Sequence, residues 1–248
     1  MTSAPPSSFT HELGQLKAVC LDVDDTLMDG PRASRRALRE LLGTDRAWPV
    51  WERVTDDYYG RYVNNELRFD VMCVERTKAF FAAFGEQIDY TEAARREDLR
   101  MAAMQRGWGL FDDARPCLDW LRDSGLRLAV ITNAPSAYQR KKIAAVGLAD
   151  VFDVLVISGE VGVAKPDPRI FRTACDALGL SPGEVAHVGD RLDTDARGAA
   201  SAGLHGIWLN RDGAPAAADV PTITSLHELP EMLVADLPAI PAVPELIR

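Results

Sequence analysis

Five short apolar runs most constrain what this chain can fold into: residues 16–22, 126–131, 154–157, 185–188 and 206–209. Each has the length of a strand. Helix-like patterns near 113–123, 135–146, 168–178 and 192–202 fill the gaps after the second run, and a last helix is expected near 225–235. Strands alternating with helices of this length predict βαβ units around a parallel sheet. Right-handed crossovers then cover both faces of that sheet. The expected fold class is α/β, with a Rossmann-like parallel core and helices on both faces.

The alternation is interrupted once. Between Pro31 and Arg106 the apolar residues recur at three- and four-residue spacing, near 32–42, 48–63, 67–84 and 91–106, with no clear strand. Gly107-Trp108-Gly109 breaks that pattern. About 80 residues are too many for one structureless loop. An all-helical domain (30–109) is therefore expected to be inserted into a core of 15–29 and 110–236. The Ser/Pro-rich residues 1–14 are expected to be disordered, and the proline-spaced 237–248 extended.

Composition removes several function classes. Thirty-seven acidic against 28 basic residues leave a formal charge of −9. That opposes nucleic acid or an anionic membrane as partner, which needs a basic surface. No apolar run approaches a membrane span, and the first residues lack the basic start and apolar stretch of a secretory signal. Cys20, Cys73, Cys117 and Cys175 are widely spaced and read as core thiols in a reducing, cytoplasmic setting.

Polar groups gather where the apolar runs end, which is where open α/β sheets place their sites. Asp22-Val23-Asp24-Asp25-Thr26 follows the first run. So many carboxylates at one strand end repel one another, and a cation keeps them ionised together; in isolation the same residues read as a solvated acidic turn. Thr132-Asn133 follows the second run, as a helix N-cap or as an anion site. Lys165-Pro166 lies beyond the third, the proline constraining the backbone beside the amine. Gly189-Asp190-Arg191-Leu192-Asp193-Thr194-Asp195 ends the fourth, and its hard oxygen donors suit Mg²⁺.

In order, spacing and position these four segments resemble the haloacid dehalogenase-like (HAD) hydrolase superfamily. Asp22-Val23-Asp24-Asp25-Thr26 matches its DxDxT signature, while Thr132, Lys165 and Asp190 with Asp195 match its later motifs. The helical insert resembles the C1-type cap. The resemblance implies an Mg²⁺-dependent phosphomonoesterase with Asp22 as nucleophile and Asp24 as general acid and base. It implies Thr132, Asn133 and Lys165 on the phosphoryl group, and Asp22, the Asp24 carbonyl, Asp190 and Asp195 (directly or through water) on the metal. Dehalogenases of the superfamily lack the second carboxylate, which Asp24 supplies here, and its mutases usually carry glycine where Thr26 stands. Dehalogenase, phosphomutase and non-catalytic binder readings are the alternatives.

A helical lid favours a small phosphorylated metabolite over a polymer. Its glycine-containing connections, 28–31 and 107–110, are candidate hinges. Within it Arg61, Asn64, Asn65, Arg68 and Arg76 are candidates for the substrate's polar end, Arg76 foremost, although charged helix residues are usually a solvated face. Trp48, Trp51, Tyr58, Tyr59 and Tyr62 read either as packing or as an aromatic pocket. His187 is expected to be a core histidine. The pattern specifies neither the substrate nor the oligomeric state.

Overall fold

A computed structural model describes residues 16–64, 66–215, 217 and 219–234. The expectations for 1–14, 237–248 and Asn65 lie outside the described residues. Strands β1 (Ala18–Leu21), β2 (Arg127–Thr132), β3 (Val154–Ile157), β4 (Val185–Gly189), β5 (His205–Leu209) and β6 (Thr222–Ile223) form one parallel sheet in the order β3-β2-β1-β4-β5-β6. The last strand was not expected. It has two residues, too few to stand out, and is fixed by Trp208 N donating to Pro221 O at 2.8 Å and Asn210 N to Ile223 O at 2.7 Å.

Alternate residues of one strand point to opposite faces, and here both faces are apolar. Val19, Leu21, Leu128 and Val130 enter one core, with Leu118 and Leu121 of α5 (Ala114–Asp123), Ile143 of α6 (Ser136–Ala145) and Leu229 of α10 (Glu228–Val234). Ala18, Cys20, Ala129 and Ile131 enter the other, with Ile170, Phe171 and Ala174 of α8 (Pro168–Leu178). Burial on both faces explains why the strands read as continuous apolar runs. All four cysteines are buried and free. No helix among the described residues is long and apolar enough to cross a membrane.

Among the described residues four helices lie between β1 and α5: α1 (Gly30–Leu42), α2 (Trp48–Val63), α3 (Phe69–Ala82) and α4 (Tyr90–Arg106). Asp29 caps α1 by accepting from Arg32 N at 2.9 Å, and Asp89 caps α4 by accepting from Glu92 N at 2.8 Å. Leu38, Trp51, Phe80 and Phe81 form a separate apolar cluster among these helices, with the rings of Trp51 and Phe80 edge to face at 5.2 Å. The two chain segments joining them to the sheet run side by side. Asp29 N donates to Gly109 O at 3.0 Å and Phe111 N to Leu27 O at 3.0 Å.

The helix expected near 192–202 is divided. A π-helical turn, Leu192–Arg197, precedes a short α9 (Gly198–Ser201). In this wide turn the Asp195 carboxyl folds back on the segment that leaves β4: Asp195 Oδ2 accepts from Arg191 N at 3.0 Å. Such turns occur often at functional sites.

Candidate active site

Sheet order locates the site. From β1 the strands run outward both ways, β2 and β3 to one side and β4 to β6 to the other. The crevice at the carboxyl ends of β1 and β4 is thus a topological switch point. Asp22 follows β1 and Asp190 follows β4. One oxygen each from Asp22, Asp190 and Asp195 lie within 4.8 Å of one another.

Lys165 anchors this cluster. Its Nζ donates to Asp22 Oδ1 at 2.6 Å and to Ile131 O at 2.8 Å, and pairs with Asp195 Oδ1 at 2.6 Å. Asn133 holds the Lys165 backbone from both sides, Nδ2 donating to Lys165 O at 2.9 Å and Oδ1 accepting from Lys165 N at 2.8 Å. The Asn133 side chain thereby positions the lysine. Thr26 ties the first motif to the last, its Oγ1 accepting from Asp190 N at 3.1 Å.

The charges are uneven. Burial, with Asp195 and Asp24 nearby, pushes Asp22 up to about 6 against the pull of Lys165. Burial and the carboxylates of Asp22, Asp195 and Asp25 push Asp190 well up. Asp195 is also buried, but Lys165 and His187 hold it well below the usual carboxylate range. Lys165 pairs with two of the three carboxylates, Asp22 and Asp195, and Asp22 and Asp190 resist ionisation. An all-oxygen donor set with unneutralised charge fits a hard divalent cation such as Mg²⁺. Asp195 differs from the others, because its oxygens already receive Lys165, His187 and Arg191 N.

Residues that the sequence left unmarked complete the site. Gln139 Nε2 donates to Thr132 Oγ1 at 3.0 Å and to Asp24 Oδ2 at 3.1 Å. Lys142 Nζ, itself buried, bonds Asp24 Oδ1. Burial opposes ionisation of Asp24, yet Lys142 and Gln139 hold its carboxyl below the usual range. Gln139 and Lys142 stand three apart on α6, so they share a face. That spacing after Thr132-Asn133 is the signal that could have marked them. His187 is fully buried, with Nε2 3.3 Å from Asp195 Oδ1 and Nδ1 without a partner. It is a core histidine, as expected, but one that also steadies an acidic side chain.

A cavity of about 770 Å³ opens on Asp22, Asp24, Thr132, Asn133, Lys165, Asp190 and Asp195, and reaches Arg76, Trp48, Trp51 and Tyr59. It therefore lies between the sheet and the four helices. Of the other helix candidates, Arg61 pairs with Glu66 at 3.6 Å and Arg68 with Asp70 at 2.9 Å, both exposed. Arg76 is buried, its Nη2 donating to Glu97 Oε1 at 2.8 Å. Trp51 packs in the helical core and lines the cavity as well.

One glycine is required here. A Cβ on Gly189 would collide with the Asp195 carboxyl, which Lys165, His187 and Arg191 N pin in place. Gly189→Ala is expected to displace Asp195 and Lys165 and to lower kcat by about 10²-fold, the usual scale for a 1 Å misplacement. Steady-state kinetics beside a circular dichroism spectrum checks this; wild-type turnover in a folded variant contradicts it.

The haloacid dehalogenase-like hydrolase family matches residues 16–203. The phosphoserine phosphatase of Thermus thermophilus is 31% identical, over 89% of this chain and 99% of that protein. Among solved structures, the magnesium-bound HAD-hydrolase YfnB of Bacillus subtilis superposes with a TM-score of 0.76 at 25% identity, covering 88% of this chain and 98% of that one. The 2-haloacid dehalogenase of Pseudomonas syringae pv. Tomato gives 0.60 at 28% identity, covering 88% and 98%. With carboxylate, lysine and hydroxyl gathered at the switch point of such a sheet, the chain belongs to the haloacid dehalogenase-like hydrolase family and is a phosphatase.

Proposed function

We propose that the protein hydrolyses a small phosphorylated metabolite, a phosphomonoester, with Mg²⁺ as cofactor and an aspartyl-phosphate on Asp22 as intermediate. The observation that carries this reading is Asp22 itself, buried beside Lys165 in an acidic cluster, with Asp24 facing the same cavity two residues on. An Asp22 oxygen attacks phosphorus in line. The bond from phosphorus to the ester oxygen breaks, and Asp24 protonates the departing alkoxide. Asp24 then takes a proton from water, whose oxygen attacks phosphorus and releases Asp22 and inorganic phosphate.

Lys142 keeps Asp24 ionised at rest. Arrival of the phosphate's negative charge raises its proton affinity, so Asp24 takes up from the substrate or solvent the proton it donates in the first step, and it accepts one from water in the second. Thr132 and Asn133, at the mouth of α6, and Lys165 would hold the phosphoryl oxygens, and Arg76 the far end of the substrate. Asp22, the Asp24 carbonyl and Asp190 would hold Mg²⁺, Asp195 serving through water while orienting Lys165. When bound, the ion supplies positive charge that lessens repulsion between Asp22 and the phosphate.

Residues 30–109 act in this reading as a cap over a core of 15–29 and 110–236, hinged at 28–31 and 107–110. Their separate apolar cluster and paired connections support that role. Closing the cap excludes bulk water from the reaction. The free buried thiols suit a reducing compartment, the cytoplasm.

Phosphate release from a panel of phosphomonoesters, with Mg²⁺ and with excess chelator, tests the reading. Turnover is expected only with metal, chelation lowering it by about 10²-fold or more, in line with the several kcal/mol a metal supplies. Halide release from a 2-haloacid that survives the chelator would overturn it in favour of attack on carbon, which has no use for Asp24.

A further inference from the structure

The cavity wall formed by the four helices carries donors that nothing satisfies. Trp48 Nε1, Thr55 Oγ1 and Arg76 Nε are each buried without a hydrogen-bond partner, and all three residues line the cavity. Indole and guanidinium N–H groups donate and cannot accept. Arg76 is only 7% exposed. Leaving such groups unpaired destabilises the protein.

The charge of this wall points the same way. Glu97 Oε1 accepts from Arg76 Nη2 at 2.8 Å and from Arg100 Nη2 at 2.6 Å. Glu97 Oε2 accepts from Arg100 Nε at 2.8 Å and from Thr77 Oγ1 at 2.7 Å. Arg76, Glu97 and Arg100 are all buried. Two guanidinium groups sharing one carboxylate leave one uncompensated positive charge. Both guanidinium groups lie 4.6 Å from the centre of the Trp51 ring, which fixes them in place. The remaining partners of Arg100 are sulfur atoms, Met101 Sδ at 2.9 Å and Met104 Sδ at 3.3 Å, which accept only weakly. Glu52 and Asp56 also line the cavity, but both are exposed and their charges are screened by water.

We infer that this wall is a carboxylate subsite, so that the substrate is a phosphorylated carboxylic acid. It rests on the phosphomonoesterase reading and names the leaving group for it. The phosphoryl group meets Asp22, while the carboxylate at the other end meets Arg76, backed by the charge of Arg100. A carboxylate carries the single negative charge that the triad lacks. A neutral leaving group would leave that charge unmatched, and a second phosphate would overfill it with buried negative charge.

The test compares kcat/KM for 3-phosphoglycerate and glycerol 3-phosphate, which differ by a carboxylate in place of a hydroxymethyl group, with p-nitrophenyl phosphate alongside. The wild-type protein is expected to prefer the carboxylate by about 10²-fold or more, since a site built around polar groups rejects the analogue that leaves them unpaired. Arg76→Met should bring that ratio close to one. Glu97 keeps Arg100 and Thr77 in that variant, so the triad becomes neutral without an orphaned charge. A wild-type ratio near one, with p-nitrophenyl phosphate still hydrolysed, overturns the subsite and leaves the phosphatase reading standing. A preference for glycerol 1,3-bisphosphate over 3-phosphoglycerate overturns the choice of carboxylate. Hydrolysis of none of these compounds in the presence of Mg²⁺ overturns the phosphatase reading and the subsite with it.

Discussion

Asp22→Asn is expected to abolish turnover, lowering kcat by at least about 10⁴-fold, the scale on which removal of a nucleophile acts. An amide has no oxygen basic enough to attack phosphorus, so no covalent intermediate forms. The change is nearly isosteric, and the protein should fold as before. It should also be no less stable than its parent. Asp22 carries a charge that burial resists, with Asp195 and Asp24 adding repulsion, and the neutral amide relieves that repulsion while the pair of Lys165 with Asp195 at 2.6 Å remains. Initial rates and a thermal melt of the same preparation check both halves. A variant that keeps its parent's turnover contradicts the assignment of Asp22.

Lys165→Met should damage folding and activity together. The lysine is the cation shared by Asp22 and Asp195, and all three side chains are buried. Removing one partner from a buried ionic cluster leaves charge without compensation, which costs about 3–5 kcal/mol. It also removes a donor from the phosphoryl group, worth about 10²–10³-fold in kcat by analogy with loss of an oxyanion donor. Urea unfolding gives the first quantity and phosphate release the second. A variant as stable and as active as the wild type contradicts the placement of Lys165 at the centre of the site.

Much of this was legible in the sequence because burial and chemistry coincide there. A strand buried on both faces is a conspicuous apolar run, and the first polar residue after it is where the sheet opens. Asp22, Thr132 and Asp190 were visible for that reason. The unmarked residues act across the fold. Lys142 looks like one more basic residue on a helix, and only the packing of α6 brings it to Asp24. Asn133 is legible as part of an anion site, but the grip of its side chain on the Lys165 backbone 32 positions away is not. Arg76 was marked as a candidate, but nothing in its own segment indicated a carboxylate partner 21 residues on. The π-helical turn at Leu192–Arg197 was read as ordinary helix, because its cause lies in the partners of Asp195 and not in local propensity. Strand β6 escaped because two residues carry no periodicity.

The central claim is that phosphorus becomes bonded to Asp22 during turnover. Rapid acid quenching of the Mg²⁺-loaded protein during a single turnover of a radiolabelled phosphomonoester, followed by proteolysis and peptide mapping, tests it directly. The expected result is transient label on the peptide containing Asp22, discharged by hydroxylamine as an acyl phosphate is. Phosphate released with no label passing through the protein, or label on another side chain, would contradict it.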